Sequence, residues 1–218
     1  MILVVEGPSA AGKTTWAGQW PARLLVPETG RARPPAGVDR QAVAEFWVDL
    51  NCARWSRAMT IERTAEIAIC DTDPLKLHYD YCLARVGKGS WEQFWAGVEA
   101  CRSAIAGERL GIADLIVCAV PGETTLDRRR DSDPSKARSN FAINRTLGPA
   151  LVDWYRTLER LDPGRVTWAF PSELPKCEMR PRFGLRIFDE WMRALPGMSH
   201  PDRNGSPPAF SKPRRCSP

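Results

Sequence analysis

Eight consecutive residues, Gly7-Pro8-Ser9-Ala10-Ala11-Gly12-Lys13-Thr14, fit the spacing G-x-x-x-x-G-K-[ST] without a departure. The chemistry that this spacing serves is carried by the backbone. Glycines and small residues let successive N–H groups turn inward around phosphate oxygens. The helix that follows adds its unpaired N–H groups and the positive end of its dipole. Lys13 would reach the β- and γ-phosphates, and the Thr14 hydroxyl would hold Mg²⁺. The expected ligand is ATP with Mg²⁺, bound by Gly7, Pro8, Ser9, Ala10, Ala11, Gly12, Lys13, Thr14 and Thr15.

Other residues have chemistry to offer such a ligand. In "CDTDP", Asp71 is the candidate for completing the metal site with Thr14, and Asp73 could accept the proton of an attacking hydroxyl. The same residues also suit a capping turn ahead of a helix. Glu28 in "VPETG" could act as base or bind an acceptor hydroxyl, and Arg31 and Arg33 could pair with an acidic acceptor. Arg128-Arg129-Arg130 and Arg138 flank "DSDPSK". From this segment Arg128, Arg130 and Arg138 are candidates to stabilise charge on a transferring phosphoryl group once a lid closes. Sequence does not say which of these arginines reaches the phosphates. Trp47, Asn51, Arg54, Trp55 and Ala58 recur at spacings of three and four, so they share one helix face. That face could line an acceptor pocket through Trp47, Asn51, Arg54 and Trp55, or simply pack on a sheet.

The elements that must position these residues alternate. Ile2–Val5 reads as a first strand, "KTTWAGQWPARL" as the helix after it, and "ARLLVPETG" as a second strand ending at Glu28. Residues 37–64 read as one or two helices with Asp39 as N-cap. "AEIAICDTDP" is a third strand, followed by two helices, the second capped by Ser90. "ADLIVCAVP" is a fourth strand and "GRVTWAFP" a fifth. Between them "SNFAINRTLGPALVDWYRTLERL" reads as a long helix loosened at Gly148-Pro149, and "RFGLRIFDEWMRAL" as the last helix. Five short apolar strands alternating with helices predict an α/β fold with a parallel sheet buried on both faces. Every strand's C-terminal end then lies on one edge, where the candidate residues meet.

Composition narrows the class. A chain of 218 residues suits one α/β domain. No apolar run reaches about 18 residues, so no transmembrane helix is expected, and the first residues lack a signal-peptide pattern. Seven cysteines without a C-x-x-C pair read as reduced core cysteines of a cytoplasmic protein. His78 and His200 have no second ligand nearby, so structural zinc is not expected. Much of the net charge of +5 sits in residues 196–218, a Pro/Ser/Gly-rich stretch that reads as a disordered basic tail. The nearly neutral body does not suit nucleic-acid binding. A homodimer is compatible with the sequence.

"GPSAAGKTT" at the first strand, "VPETGR" after the second, "CDTDP" after the third and the arginine-bearing segment after the fourth resemble the P-loop small-molecule kinases. The likeness is to nucleoside and nucleotide kinases of the nicotinamide riboside kinase type. Residues 123–138 are similar to the lid of thymidylate-kinase-like enzymes. The resemblance spans roughly residues 1–195 and implies a three-layer P-loop NTPase fold, with a parallel five-stranded sheet and helices on both faces. It implies ATP-dependent phosphorylation of a small-molecule acceptor, nucleoside-like or a natural product. The Asp-Arg-Tyr or Glu-Arg-Ser motif of thymidylate and deoxynucleoside kinases is absent, with "DTDP" in its place, which argues against those acceptors. An ATPase or nucleotide-dependent switch without an acceptor is the alternative. Neither the N-K-x-D guanine reader nor an L-S-G-G-Q signature is present.

Overall fold

The computed structural model describes residues 1–28, 32–132 and 140–198. Five strands, β1 (Ile2–Glu6), β2 (Leu25–Val26), β3 (Ala68–Asp71), β4 (Leu115–Cys118) and β5 (Val166–Thr167), form one parallel sheet in the order β2-β3-β1-β4-β5. β1 is central: Val4 lies level with Cys70 on one side and Ile116 on the other. All five β1 residues are buried, as a two-faced core strand requires. The chain leaves β1 toward β2 and β3 and later crosses to β4. Crevices for ligands form at such a reversal, beyond the carboxyl ends of the strands.

Helices flank the sheet unevenly. Ile2, Val4, Cys70, Ile116 and Cys118 point into a large core covered by α2 (Arg40–Ala65), α3 (Leu77–Arg85), α4 (Trp91–Ala106), α7 (Gly148–Leu161) and α8 (Leu185–Ala194). Leu3, Val5, Ile69, Leu115 and Val117 point the other way, into a smaller cluster closed by Trp16, Leu24 and Phe170. Trp16 belongs to α1 (Lys13–Ala17), and Leu24 to a 3₁₀ turn, Ala22–Leu24. Two short helices, α5 (Glu123–Asp131) and α6 (Phe141–Asn144), place Leu126 and Phe141 against Ala11.

Several elements differ from expectation for local reasons. α1 spans five residues rather than twelve. Gly18 follows it, and Pro21 has no N–H to donate back to Ala17, so the helix cannot run on to Leu24. Residues 40–65 form one unbroken helix, started by Asp39, whose carboxylate accepts the Ala42 N–H at 2.8 Å. Ser90 caps α4 similarly, accepting from Gln93 at 3.3 Å. The long helix expected over 139–161 is interrupted. A 3₁₀ turn, Arg145–Leu147, separates α6 from α7, because Pro149 lacks an N–H and fits a helix's first turn. Six cysteines among the described residues are free thiols, four of them buried. No described helix is long and apolar enough to cross a membrane. Most of the basic tail, from residue 199, lies outside the described residues, as do Arg31 and Arg138.

Candidate functional site

The loop 7–14 leaves β1 at the centre of the sheet's carboxyl edge. Gly7 has φ +153°, and a Cβ there would lie 2.3 Å from the Ala119 carbonyl oxygen and 2.9 Å from the Ala11 Cβ. Only glycine fits where the loop passes the exit of β4. Gly12, at φ +101°, turns the chain into α1. The Ala11 N–H bonds the Pro8 carbonyl at 3.1 Å, closing the loop on itself. Lys13 arches back over it, with Nζ donating to the Gly7 carbonyl at 2.5 Å and the Pro8 carbonyl at 3.2 Å.

Beneath the loop lies a buried polar cluster that motif reading missed. Glu6, the last β1 residue, is 2% exposed. Its Oε1 accepts the Gly7 N–H at 2.9 Å, its Oε2 accepts the Asp73 N–H at 3.1 Å, and His78 Nε2 stands 3.3 Å from Oε2. Burial alone would raise the Glu6 carboxyl. His78, Lys13 and the two N–H groups outweigh burial and hold it below its ordinary value. His78 is pushed the other way, with burial lowering it more than Glu6 and Asp73 raise it. Glu6 therefore anchors the first N–H of the loop to the turn after β3. The one sequence signal was an acidic residue closing an otherwise apolar strand.

The two aspartates after β3 have opposite surroundings. Asp71 lies level with Val5 and turns outward, accepting the Thr14 hydroxyl on Oδ2 at 3.1 Å. Burial raises its carboxyl, while Thr14 and Lys13 oppose the rise. Asp73 is 3% exposed, with Oδ1 accepting the Leu75 N–H at 3.0 Å and Oδ2 accepting the Tyr155 hydroxyl at 3.1 Å. Asp73, expected as a proton acceptor for substrate, is thus enclosed and away from the cavities. Its carboxylate holds the turn into α3 and ties it to α7.

The acceptor candidates on α2 also divide. Trp47 is 39% exposed, Asn51 and Arg54 are nearly covered, and Trp55 is 1% exposed. Trp55 stands edge-on to Phe183, and a Cβ on Gly111 would come within 2.5 Å of its ring. This core packing takes Trp55 away from any acceptor. Arg54 donates to the carbonyls of Pro27 at 3.1 Å, Asp71 at 2.7 Å and Thr72 at 2.9 Å, and to Asn51 Oδ1 at 3.3 Å. It thereby fastens the exits of β2 and β3 to each other, fixing Glu28 and Asp71 as neighbours.

Among the three arginines of α5, Arg129 reaches the loop, donating to the Ala11 carbonyl at 2.5 Å. Arg130 lies over the Phe141 ring, 4.9 Å from its centre, and pairs with Asp131. Arg128 is exposed and lines none of the cavities described next. Of the three, the structure brings Arg129 to the loop and not Arg128 or Arg130, the two expected from the sequence.

Three cavities meet on this edge. The largest, about 820 Å³, runs along the outer side of the loop from Ser9 to Trp16, past Asp71 and Arg129, to Phe170 and Ser172. A second, about 360 Å³, lies between the loop, α3 and the start of α7, over Glu6, Lys13 and His78. The third, about 330 Å³, is walled mainly by apolar side chains of α2, α3 and α4. Glu28 lines all three, and Lys76 lines the second and third. The two residues form an ion pair at that junction. Lys76, at φ +54° just before α3, carried no motif that sequence reading could use.

The arrangement offers small backbone groups, one lysine and one arginine around the largest cavity, and a hydroxyl–carboxylate pair of hard oxygens on its rim. Thr14 and Asp71 suit a hard cation such as Mg²⁺. No group of three or more His, Cys, Asp or Glu side chains placed to hold a metal occurs among the described residues, so other ligands would complete such a site. Compared with models of known protein families and with curated proteins, the chain matches neither.

Proposed function

We propose that the chain is an ATP-dependent kinase with a P-loop at residues 7–14, moving the γ-phosphoryl group of Mg-ATP to a small hydroxyl-bearing acceptor. The observation that carries this reading is the position of Glu28. One carboxylate borders the cavity along the glycine-rich loop and also the apolar cavity between α2, α3 and α4. A donor and an acceptor seated on its two sides would meet at that group, which is what positioning a bimolecular transfer requires.

In this reading the N–H groups of residues 9, 10 and 12–14 and the Lys13 ammonium bind the phosphates, Lys13 exchanging the Gly7 and Pro8 carbonyls for phosphate oxygens. Thr14 and Asp71 would hold Mg²⁺, which when bound offsets phosphate charge. Glu28, released from Lys76, accepts the acceptor's hydroxyl proton. That oxygen bonds to the γ-phosphorus as the bond to the bridging oxygen breaks, and ADP leaves. Arg129, already on the loop, stabilises the equatorial oxygens. The test is product analysis after incubation with Mg-ATP and a panel of nucleosides and natural-product alcohols. A new phosphoester is expected. ATP breakdown that is indifferent to every acceptor would replace the kinase with an ATPase.

A further inference from the structure

The 330 Å³ cavity falls in the size range of small-molecule sites, roughly 300–1,000 Å³. Its walls are largely apolar, with Ala44, Val48 and Leu50 on one side and Leu75 and Leu77 on another. Gly97 and Asp80 shape one end of the cavity. Gly97, inside α4, has no side chain where one would fill the space. A Cβ there would stand 2.9 Å from Leu77 Cδ2 and 3.8 Å from Asp80 Oδ2. Asp80, on α3, lines the same cavity.

The charged groups of this cavity are not equivalent. Arg54 is committed to three backbone carbonyls and Asn51. Lys76 is paired with Glu28. Arg54 is therefore not left to hold a phosphate, and Lys76 stands paired with Glu28 until an acceptor reaches that carboxylate. Asp80, in contrast, accepts no hydrogen bond from the described residues, and Lys76 is the only charge that acts on it appreciably. A half-buried carboxylate in a largely apolar cavity, with no hydrogen-bond partner among the described residues, is suited to pair with a cationic ligand.

Resting on the kinase reading above, we infer that the acceptor is an amino alcohol: an apolar body whose ammonium group pairs with Asp80 and whose hydroxyl lies toward Glu28. Two carboxylates, Glu28 and Asp80, line this cavity and disfavour acceptors that already carry a phosphate. Asp80 is a binding residue in this scheme and takes no part in transfer. Burial raising its carboxyl to about 6 is consistent with this, since an ammonium ligand would hold it ionised.

The experiment is equilibrium binding to the full chain without nucleotide, using matched probes. 2-Amino-1-phenylethanol is compared with 1-phenylethanol and with 2-hydroxy-2-phenylethyl phosphate, which keeps the hydroxyl and carries a phosphate in place of the amine, and a set of aliphatic amino alcohols is treated in the same way. The amines are expected to bind at least tenfold tighter than their deaminated partners, and D80N to remove that preference while leaving the neutral alcohols unchanged. Equal binding of amine and alcohol, tighter binding of the phosphate ester, no binding of any probe, or a preference that survives in D80N would overturn the inference. Should D80N fail to fold, the wild-type preference decides alone. ADP release with the same probes separates the two ideas. Transfer to neutral alcohols with no preference for amines would retain the kinase and discard the amino alcohol. Asp80-dependent amine binding with no transfer to any acceptor would discard the kinase, and with it the acceptor role of the cavity.

Discussion

The loop at residues 7–14 and the cavity between α2, α3 and α4 face each other across Glu28, and they are built in opposite ways. The loop is contiguous in sequence and works through backbone and two or three side chains. The cavity draws its walls from three helices and its polar groups from positions as far apart as Asn51 and Gln93. The first region is specified by spacing and so tolerates little local change. The second is specified by packing, so its ligand preference can shift with single side chains while the fold persists.

The largest break in that comparison should come from Lys13. K13A is expected to lower kcat/KM by about a thousandfold, the scale for removing a fixed charge from a transferring phosphoryl group. Its melting temperature should fall only modestly, since the Lys13 hydrogen bonds are to loop carbonyls and Glu6 keeps His78 and two N–H partners when the Lys13 charge is lost. A variant with more than a tenth of wild-type activity would contradict the role of the loop.

The two tryptophans of α2 sharpen the packing side. W55A should destabilise by about 3–5 kcal/mol, as emptying a core indole does, read by denaturant unfolding. W47A, at the rim of the cavity, should leave stability nearly unchanged and raise the acceptor KM. Equal loss of stability in both would mean that the cavity rim is core.

Asp80 gives a prediction independent of activity. With burial raising its carboxyl to about 6 and Lys76 opposing, the folded chain holds this proton more tightly than the unfolded one. Its contribution to stability is therefore fully present below the unfolded value near 3.9 and lost as pH rises through about 6. At pH 7 the loss is complete and on the order of 3 kcal/mol. D80N should accordingly melt higher than wild type at pH 7, with the gap closing as pH falls toward about 4. A D80N melting temperature at or below wild type at pH 7 would contradict the half-buried carboxylate without a hydrogen-bond partner.

The smallest effect expected is at α5. R129A should cost roughly tenfold to a hundredfold in kcat, the range for a charge-assisted hydrogen bond. R128A should stay within about twofold. Reversal of that order would return the phosphate contact to Arg128.

Much of the fold was legible because it rests on local rules. Apolar runs bounded by glycine and proline mark all five strands, and Asp39 and Ser90 mark helix starts. The place of the loop between β1 and α1 was legible because it uses consecutive residues. What sequence could not rank was the choice among equivalent neighbours. Three successive arginines point about 100° apart around a helix, and only the docking of α5 through Leu126 and Phe141 on Ala11 decides that Arg129 faces the loop. Asp71 and Asp73 are two residues apart, yet one reaches Thr14 and the other is enclosed by Tyr155 and Leu75. Trp55 shares a helix face with Trp47, but two turns along the helix that face meets Gly111 instead of open space. Glu6 and Lys76, which tie the loop and the cavity to each other, lie outside any motif.

The measurement that bears most directly on the account is transfer of label from γ-labelled ATP to an acceptor, run side by side in wild type and E28Q, with Mg-ATP affinity measured in both. The account predicts labelled acceptor with the wild type, a loss of about 10²-fold or more in the transfer rate with E28Q, and ATP affinity unchanged within about twofold. Full transfer by E28Q, or label released only as inorganic phosphate whatever acceptor is present, would contradict it.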